Sequence, residues 1–117
     1  MQHDPRAYVW DVLRAADQTA AFIKGLTLDD YLNAPMLRAA VERQLTIIGE
    51  ALNQLSRTDS VLAARVPDLR RAVGMRNILI HAYTRVDNVA VWRTASDDLP
   101  KLRATAAALL AELGDTP

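Results

Sequence analysis

The chain has 117 residues, half of them apolar, which fits one domain over residues 1–117 with a core of its own. Its 14 basic and 14 acidic residues cancel, which argues against nonspecific nucleic-acid binding by the surface as a whole. There is no cysteine, so disulfides and thiolate metal sites are excluded.

The charge is unevenly spread. Residues 1–64 hold eight acids and six bases, residues 65–96 hold six arginines against Asp68 and Asp87, and residues 97–117 return to a balance of −2. Twelve of the 14 basic residues are arginine, the better bidentate partner for phosphate. No apolar run reaches 18 residues, and the opening MQHDPRAYVW lacks the basic-then-apolar order of a signal peptide, so a soluble cytoplasmic protein is expected.

Alanine and leucine dominate, glycine is scarce and β-branched alternation is rare, which predicts an all-α chain. Asp4-Pro5 is a helix start: an N-cap acid followed by proline at the first helical position. Tyr8, Val12, Ala15, Ala16, Thr19 and Ile23 then recur at three- and four-residue steps until Gly25. Thr27 and Asp30 have the spacing of a capping box for one short turn, TLDDYL.

Pro35 opens a second long helix whose apolar stripe is Leu37, Val41, Leu45, Ile48, Leu52 and Leu55. Ala40, Ile47 and Ala51 widen the stripe, which predicts two neighbours. Arg43, Thr46, Glu50, Asn53 and Arg57 form a polar stripe, read as a solvated face except at Glu50. A short turn is expected over residues 58–64, and a helix from Pro67. Asp87 is expected to cap the next helix with Val89 and Trp92 inward, and Asp97 or Asp98 to cap a last segment carrying Pro100 in its first turn and ending before Gly114. The predicted architecture is four main antiparallel helices plus short turns, an up-and-down bundle.

The segment MRNILIHAYTRVD, residues 75–87, carries the chemistry. On a helix over 68–83, Leu69, Val73 and Ile80 fall on one apolar flank and Met75, Ile78, Leu79 and Ala82 on a second. Asn77 and His81 stack four residues apart, and Arg76 and Tyr83 differ by only about 20° around the axis. Four polar groups thus share a narrow strip on a helix that is otherwise apolar, and such a strip must find partners.

One reading is structural: Arg76 pairs with a buried acid such as Glu50, and His81 and Tyr83 bond to backbone. The other is a site for phosphodiester chemistry. A guanidinium binds phosphate and its developing charge, and an imidazole moves a proton near neutral pH. With only His3 and His81 a metal site is poorly supplied. There is also no glycine-rich phosphate loop, and no cofactor is called for. Metal-free RNA cleavage by the adjacent 2′-hydroxyl needs both a base and an acid. A two-fold dimer that joins two strips would duplicate the single well-placed histidine.

GMRNILIHAYTRVD resembles the signature of the HepT-type toxins of the HEPN superfamily, the partners of MntA-type minimal nucleotidyltransferase antitoxins. AVERQLTIIGEAL in the second long helix, RVP before the motif, and VDNVAVW followed by DDLPKL after it extend the resemblance over nearly the whole chain. It implies an all-α HEPN-like dimer with the two motifs facing each other, and a metal-independent endoribonuclease acting on tRNA or mRNA. Arg76 and His81 match the catalytic pair, and Asn77 the polar residue after the arginine. Tyr83 matches the tyrosine that the antitoxin adenylylates to silence the nuclease. Arg65, Arg70, Arg71 and Arg85 are candidate RNA contacts, and Glu50 is a candidate support for the site. Many relatives carry Pro-Trp where this chain has Pro67-Asp68, a change expected to alter helix docking rather than chemistry. Some relatives are nucleotide-binding or inactive, so a regulatory partner of a nucleotidyltransferase is the alternative reading.

Overall fold

The computed structural model describes residues 4–66 and 87–114. Among the described residues every regular element is helical: α1 (Pro5–Ile23), α2 (Leu28–Leu32), α3 (Pro35–Thr58), α4 (Ser60–Ala63), α5 (Asn88–Arg93) and α6 (Leu99–Leu113), with a π-helical turn at Thr94–Asp98 joining the last two. The fold class is all-α, as the composition predicts. The helix expected from Pro67, and with it the helical reading of 68–83, lies outside the described residues.

The first boundaries follow the local chemistry. Asp4 accepts from the Arg6 backbone N–H at 2.9 Å, satisfying one of the donors that a helix start leaves without a partner. Gly25 follows α1 at φ 75°, a left-handed conformation that glycine adopts without steric cost. In the capping box of α2, Thr27 N–H donates to Asp30 Oδ2 at 2.9 Å, and Asp30 N–H donates to Thr27 Oγ1 at 3.2 Å.

α1 is the central helix of the described bundle, packed against both α3 and α6. Both neighbours run antiparallel to it. Gln44 Nε2 donates to Gln18 Oε1 at 3.5 Å near the end of α1, whereas Tyr8 and Asp11 near its start lie beside Gln54 and Glu50. On the other side, Arg6 Nη1 reaches the Leu113 carbonyl at 3.4 Å, and Arg103 pairs with Asp17 ten residues nearer the start of α6. Val9, Val12, Leu52, Leu55, Leu102 and Leu110 are among the side chains sealed between these helices. The stripe predicted on α3 is buried except at Leu37, which is half-buried at its edge.

Two expectations near the C-terminus are corrected. Asp87 does cap α5, accepting from Ala90 N–H at 3.0 Å, and Trp92 packs half-buried against the core as expected, but the sealed residue of that helix is Val91, and Val89 is only half-buried. Nor is there a fresh start at Asp97 or Asp98. Asp98 has helical angles and makes no side-chain cap bond, so Asn88–Leu113 is one continuous helical run.

The π turn explains the continuity. Leu99 N–H bonds to the Thr94 carbonyl, five residues back. An ordinary α turn would drive the Pro100 ring into the carbonyl of Ser96, and the wider turn relieves that conflict one residue earlier. Thr94 and Ser96 also spend their hydroxyls within the run, donating to the Ala90 and Trp92 carbonyls at 3.0 and 2.8 Å. Gly114, at φ 94°, ends the run by returning its N–H to the Leu110 carbonyl.

Candidate functional site

Arg70, Arg71, Arg76, Asn77, His81, Tyr83 and Arg85 lie outside the described residues. The described residues define both ends of the segment that carries them. On the entry side, Asp59 Oδ1 accepts from Leu62 N–H at 3.0 Å and starts α4, whose Leu62 and Ala63 are buried. Val66 then turns into the core beside Val9, Val12 and Leu102. The preceding Arg65 forks onto Glu112 of α6, at 2.9 and 2.6 Å. On the exit side stands the Asp87 cap of α5, four residues after Tyr83 in sequence.

The exit is braced from α2. The Tyr31 ring lies 5.4 Å from that of Trp92 with the planes tilted by 44°, a favourable aromatic geometry. Tyr31 is sealed, and among the described residues its hydroxyl has no hydrogen-bond partner. Burial is the main cause that pushes its phenol up to about 12; the nearby Glu42 carboxylate adds to this and Arg38 opposes it. Glu42 is itself half-buried, and desolvation raises its carboxyl above the ordinary 4.5 against the pull of Arg38.

Glu50, the candidate support for the motif, stands at a different burial from the one the structural reading assumes, while its pairing with Arg76 falls outside the described residues. That reading needs a buried acid, and Glu50 is exposed. It stands in a groove of about 370 Å³ along the seam of α1 and α3, with Tyr8, Asp11 and Gln54 around it and Ile47 and Ala51 as its apolar floor. On the polar stripe of α3, Arg43 and Arg57 are also exposed, and Thr46 donates to the Glu42 carbonyl at 3.0 Å.

Sequence reading singled out Glu50 but not Tyr8, Asp11 or Gln54 as groove residues. Their spacing does carry a signal, since Tyr8 and Asp11 are three apart, and Ile47, Glu50, Ala51 and Gln54 follow at three- and four-residue steps. Which edge of α1 meets which edge of α3 is tertiary information. Among the described residues no group of three or more His, Asp or Glu side chains is placed to hold a metal ion.

The family model described as "Ribonuclease HepT-like" matches residues 12–109, most of the chain and all of the signature segment. The chain belongs to the HepT-like ribonuclease family. Its enzyme class is therefore ribonuclease, on a HEPN-type scaffold. "Putative RNase MJ1380" of Methanocaldococcus jannaschii is 34% identical over 102 residues, 87% of this chain and 93% of that protein. "Probable ribonuclease HepT" of Thermococcus cleftensis is 32% identical over 103 residues, 88% of this chain and 93% of its own. "Putative RNase TTE0752" of Caldanaerobacter subterraneus is 33% identical over 98 residues, covering 84% and 87%. No solved structure matches the chain. Among the described residues no helix of this HepT-like chain is long and apolar enough to cross a membrane.

Proposed function

We propose that the chain is a metal-independent endoribonuclease toxin that acts as a homodimer on tRNA or mRNA. In this reading an MntA-type nucleotidyltransferase silences it by adenylylating Tyr83. The observation that carries the reading is the family match over residues 12–109 together with an intact Arg76-Asn77…His81-x-Tyr83 set inside it.

The chemistry assigned to each residue follows from its side chain. Arg76 holds the scissile phosphate with paired N–H donors and offsets the charge that grows on its oxygens. Asn77 adds a neutral donor beside it. One His81 takes the proton of the 2′-hydroxyl as its oxygen attacks phosphorus. The partner protomer's copy of the same residue gives a proton to the departing 5′-oxygen. The products are a 2′,3′-cyclic phosphate and a free 5′-hydroxyl, and no water or metal enters the bond-breaking step. Arg70, Arg71 and Arg85 supply cations for the flanking phosphates.

Incubation of purified protein with tRNA in EDTA tests the assignment. Cleavage is expected from the wild type and from His3→Ala, and loss of cleavage from His81→Ala. Wild type that leaves RNA intact but binds ATP or AMP tightly would instead support the regulatory reading. Dilution tests the composite site: specific activity should fall once the protein is diluted below its dimer dissociation constant.

A further inference from the structure

We propose that Arg43 and Arg57 of α3 form a two-point clamp for the phosphate backbone of single-stranded RNA. The proposal rests on the ribonuclease reading and adds to it the track along which the substrate lies. By its sequence pattern alone, the stripe that holds both residues reads as a solvated face.

Most arginines among the described residues are already engaged. Arg6 is on Asp4, Arg14 over the Trp10 ring, Arg38 on the Leu32 carbonyl, Arg65 on Glu112 and Arg103 on Asp17. Arg43, Arg57 and Arg93 make no such contact among the described residues, and all three are exposed. An exposed guanidinium without a partner keeps its forked donors for a phosphate.

Placement joins two of these three into a track. Arg43 and Arg57 stand on one unbroken helix, Pro35–Thr58. At 100° per residue they differ by only about 40° around its axis, so they share a side, and at 1.5 Å per residue they stand about 21 Å apart along it. α3 also leaves their charges uncompensated. One turn away from Arg43 stand Ala39, Ala40, Thr46 and Ile47, and one turn before Arg57 stand Asn53 and Gln54, so neither arginine has a carboxylate at those helical neighbours. The acid of the stripe, Glu50, lies midway between the two and already has a partner of its own. Asn53, half-buried on the same strip, carries an amide that can donate to a ribose or phosphate oxygen.

Two cations at the ends of a rigid span suit a polyanion that touches at two points. An acidic protein segment would meet the same charges, but the enzyme class of the chain makes RNA the polyanion that it must hold. A dinucleotide is too short to reach both residues, so the clamp acts on longer strands.

Equilibrium binding of a 2′-O-methylated RNA strand of about twenty nucleotides tests this, because methylation blocks the attacking hydroxyl and leaves the phosphates in place. Titrations over a range of salt compare wild type, Arg43→Gln, Arg57→Gln, the double variant and Arg93→Gln, with thermal melting to verify that each is folded. Each lost phosphate contact should flatten the salt slope by about 0.7, or weaken binding about fivefold at about 0.1 M salt. The double variant should lose about 1.4 of slope and about 25-fold in affinity. Arg43→Lys and Arg57→Lys keep the charge and should keep the slope. Arg93→Gln, which removes a charge off the stripe, should match wild type. With a dinucleotide, the double variant should lose no more than one contact.

A wild-type slope in the double variant would overturn the clamp and leave two solvated arginines. An equal loss in Arg93→Gln would overturn it in favour of diffuse surface charge. Weaker binding of a polyglutamate peptide by the double variant, with RNA binding intact, would assign the face to an acidic protein instead. Cleavage of tRNA judges the nuclease reading separately. Wild type that shows this binding pattern but cuts nothing sinks that reading alone, and wild type that cuts while the double variant binds equally well sinks the clamp alone.

Discussion

Arg65 donates two parallel hydrogen bonds to Glu112, Nη1 to Oε1 at 2.9 Å and Nη2 to Oε2 at 2.6 Å, and so ties the residue that precedes Val66 to the last helix. Each partner stabilises the charge of the other, holding the Glu112 carboxyl below its usual range and pushing the Arg65 guanidinium up. Both side chains are about half exposed, at 47% and 56%, so solvent and salt screen the pair. A double-mutant cycle with Arg65→Ala and Glu112→Ala should give only a small coupling, one that shrinks in high salt. Because the fork is occupied, Arg65→Ala should leave the salt slope of RNA binding unchanged. A slope reduced by about one would instead identify Arg65 as a phosphate contact.

Tyr31 predicts an inexpensive substitution at a sealed position. Its ring packs on Trp92, but its buried hydroxyl has no partner among the described residues, where the oxygen adds desolvation cost without a bond in return. Tyr31→Phe should therefore be neutral or raise stability by up to about 1 kcal/mol in denaturant titration. Tyr31→Ala removes the ring as well and should cost about 3 kcal/mol or more. A large loss in Tyr31→Phe would show that the hydroxyl has a partner after all.

The same residues show how far sequence patterns reach. Local signals were legible: the Asp4 and Asp87 caps, the Thr27–Asp30 box, the Pro35 start and the α3 stripe all depend on side chains within four residues of one another. Errors arose where a longer-range fit overrode a local preference. Asp98 and Pro100 together look like a helix start, yet a π turn lets the run continue through them. Trp92 packs half-buried against the core, on Tyr31 of α2, as its inward reading predicts, but Val91 rather than Val89 takes the sealed position. Periodicity places Glu50 on a polar face of α3 without revealing the α1 seam that makes that face a groove.

Glu42 gives stability a pH dependence with a definite sign. Burial raises its folded-state pKa above 4.5, so the folded protein holds the proton more tightly than the unfolded chain. The group favours folding fully below the unfolded value, and this contribution is lost as pH rises through the folded value. At neutral pH the half-buried carboxylate is thus a liability, and Glu42→Gln should stabilise the protein by less than about 1 kcal/mol. The advantage should vanish as pH falls toward the carboxylate range. Paired urea titrations of the two proteins at pH 7 and near pH 4 would measure it. An advantage that grew on acidification would contradict the assigned sign.

Tyr83 is the residue at which the proposed silencing can be separated from the proposed chemistry. Attaching AMP to its phenol oxygen, with pyrophosphate leaving ATP, would place a phosphodiester charge and a nucleoside two residues from His81 and seven from Arg76 in the sequence. That charge would compete with RNA phosphate for the Arg76 guanidinium, and the nucleoside would fill space needed by the substrate. The unmodified phenol has no step in the cleavage itself, so Tyr83→Phe should still cut RNA. The two roles then predict opposite results on coexpression with an MntA-type nucleotidyltransferase. Intact mass spectrometry should show AMP increments on the wild type and none on Tyr83→Phe, and the modified wild type should lose cleavage while the variant keeps it. AMP increments that persist in Tyr83→Phe would move the modification to another residue. Loss of cleavage in the unmodified variant would make Tyr83 part of the catalytic site rather than its switch.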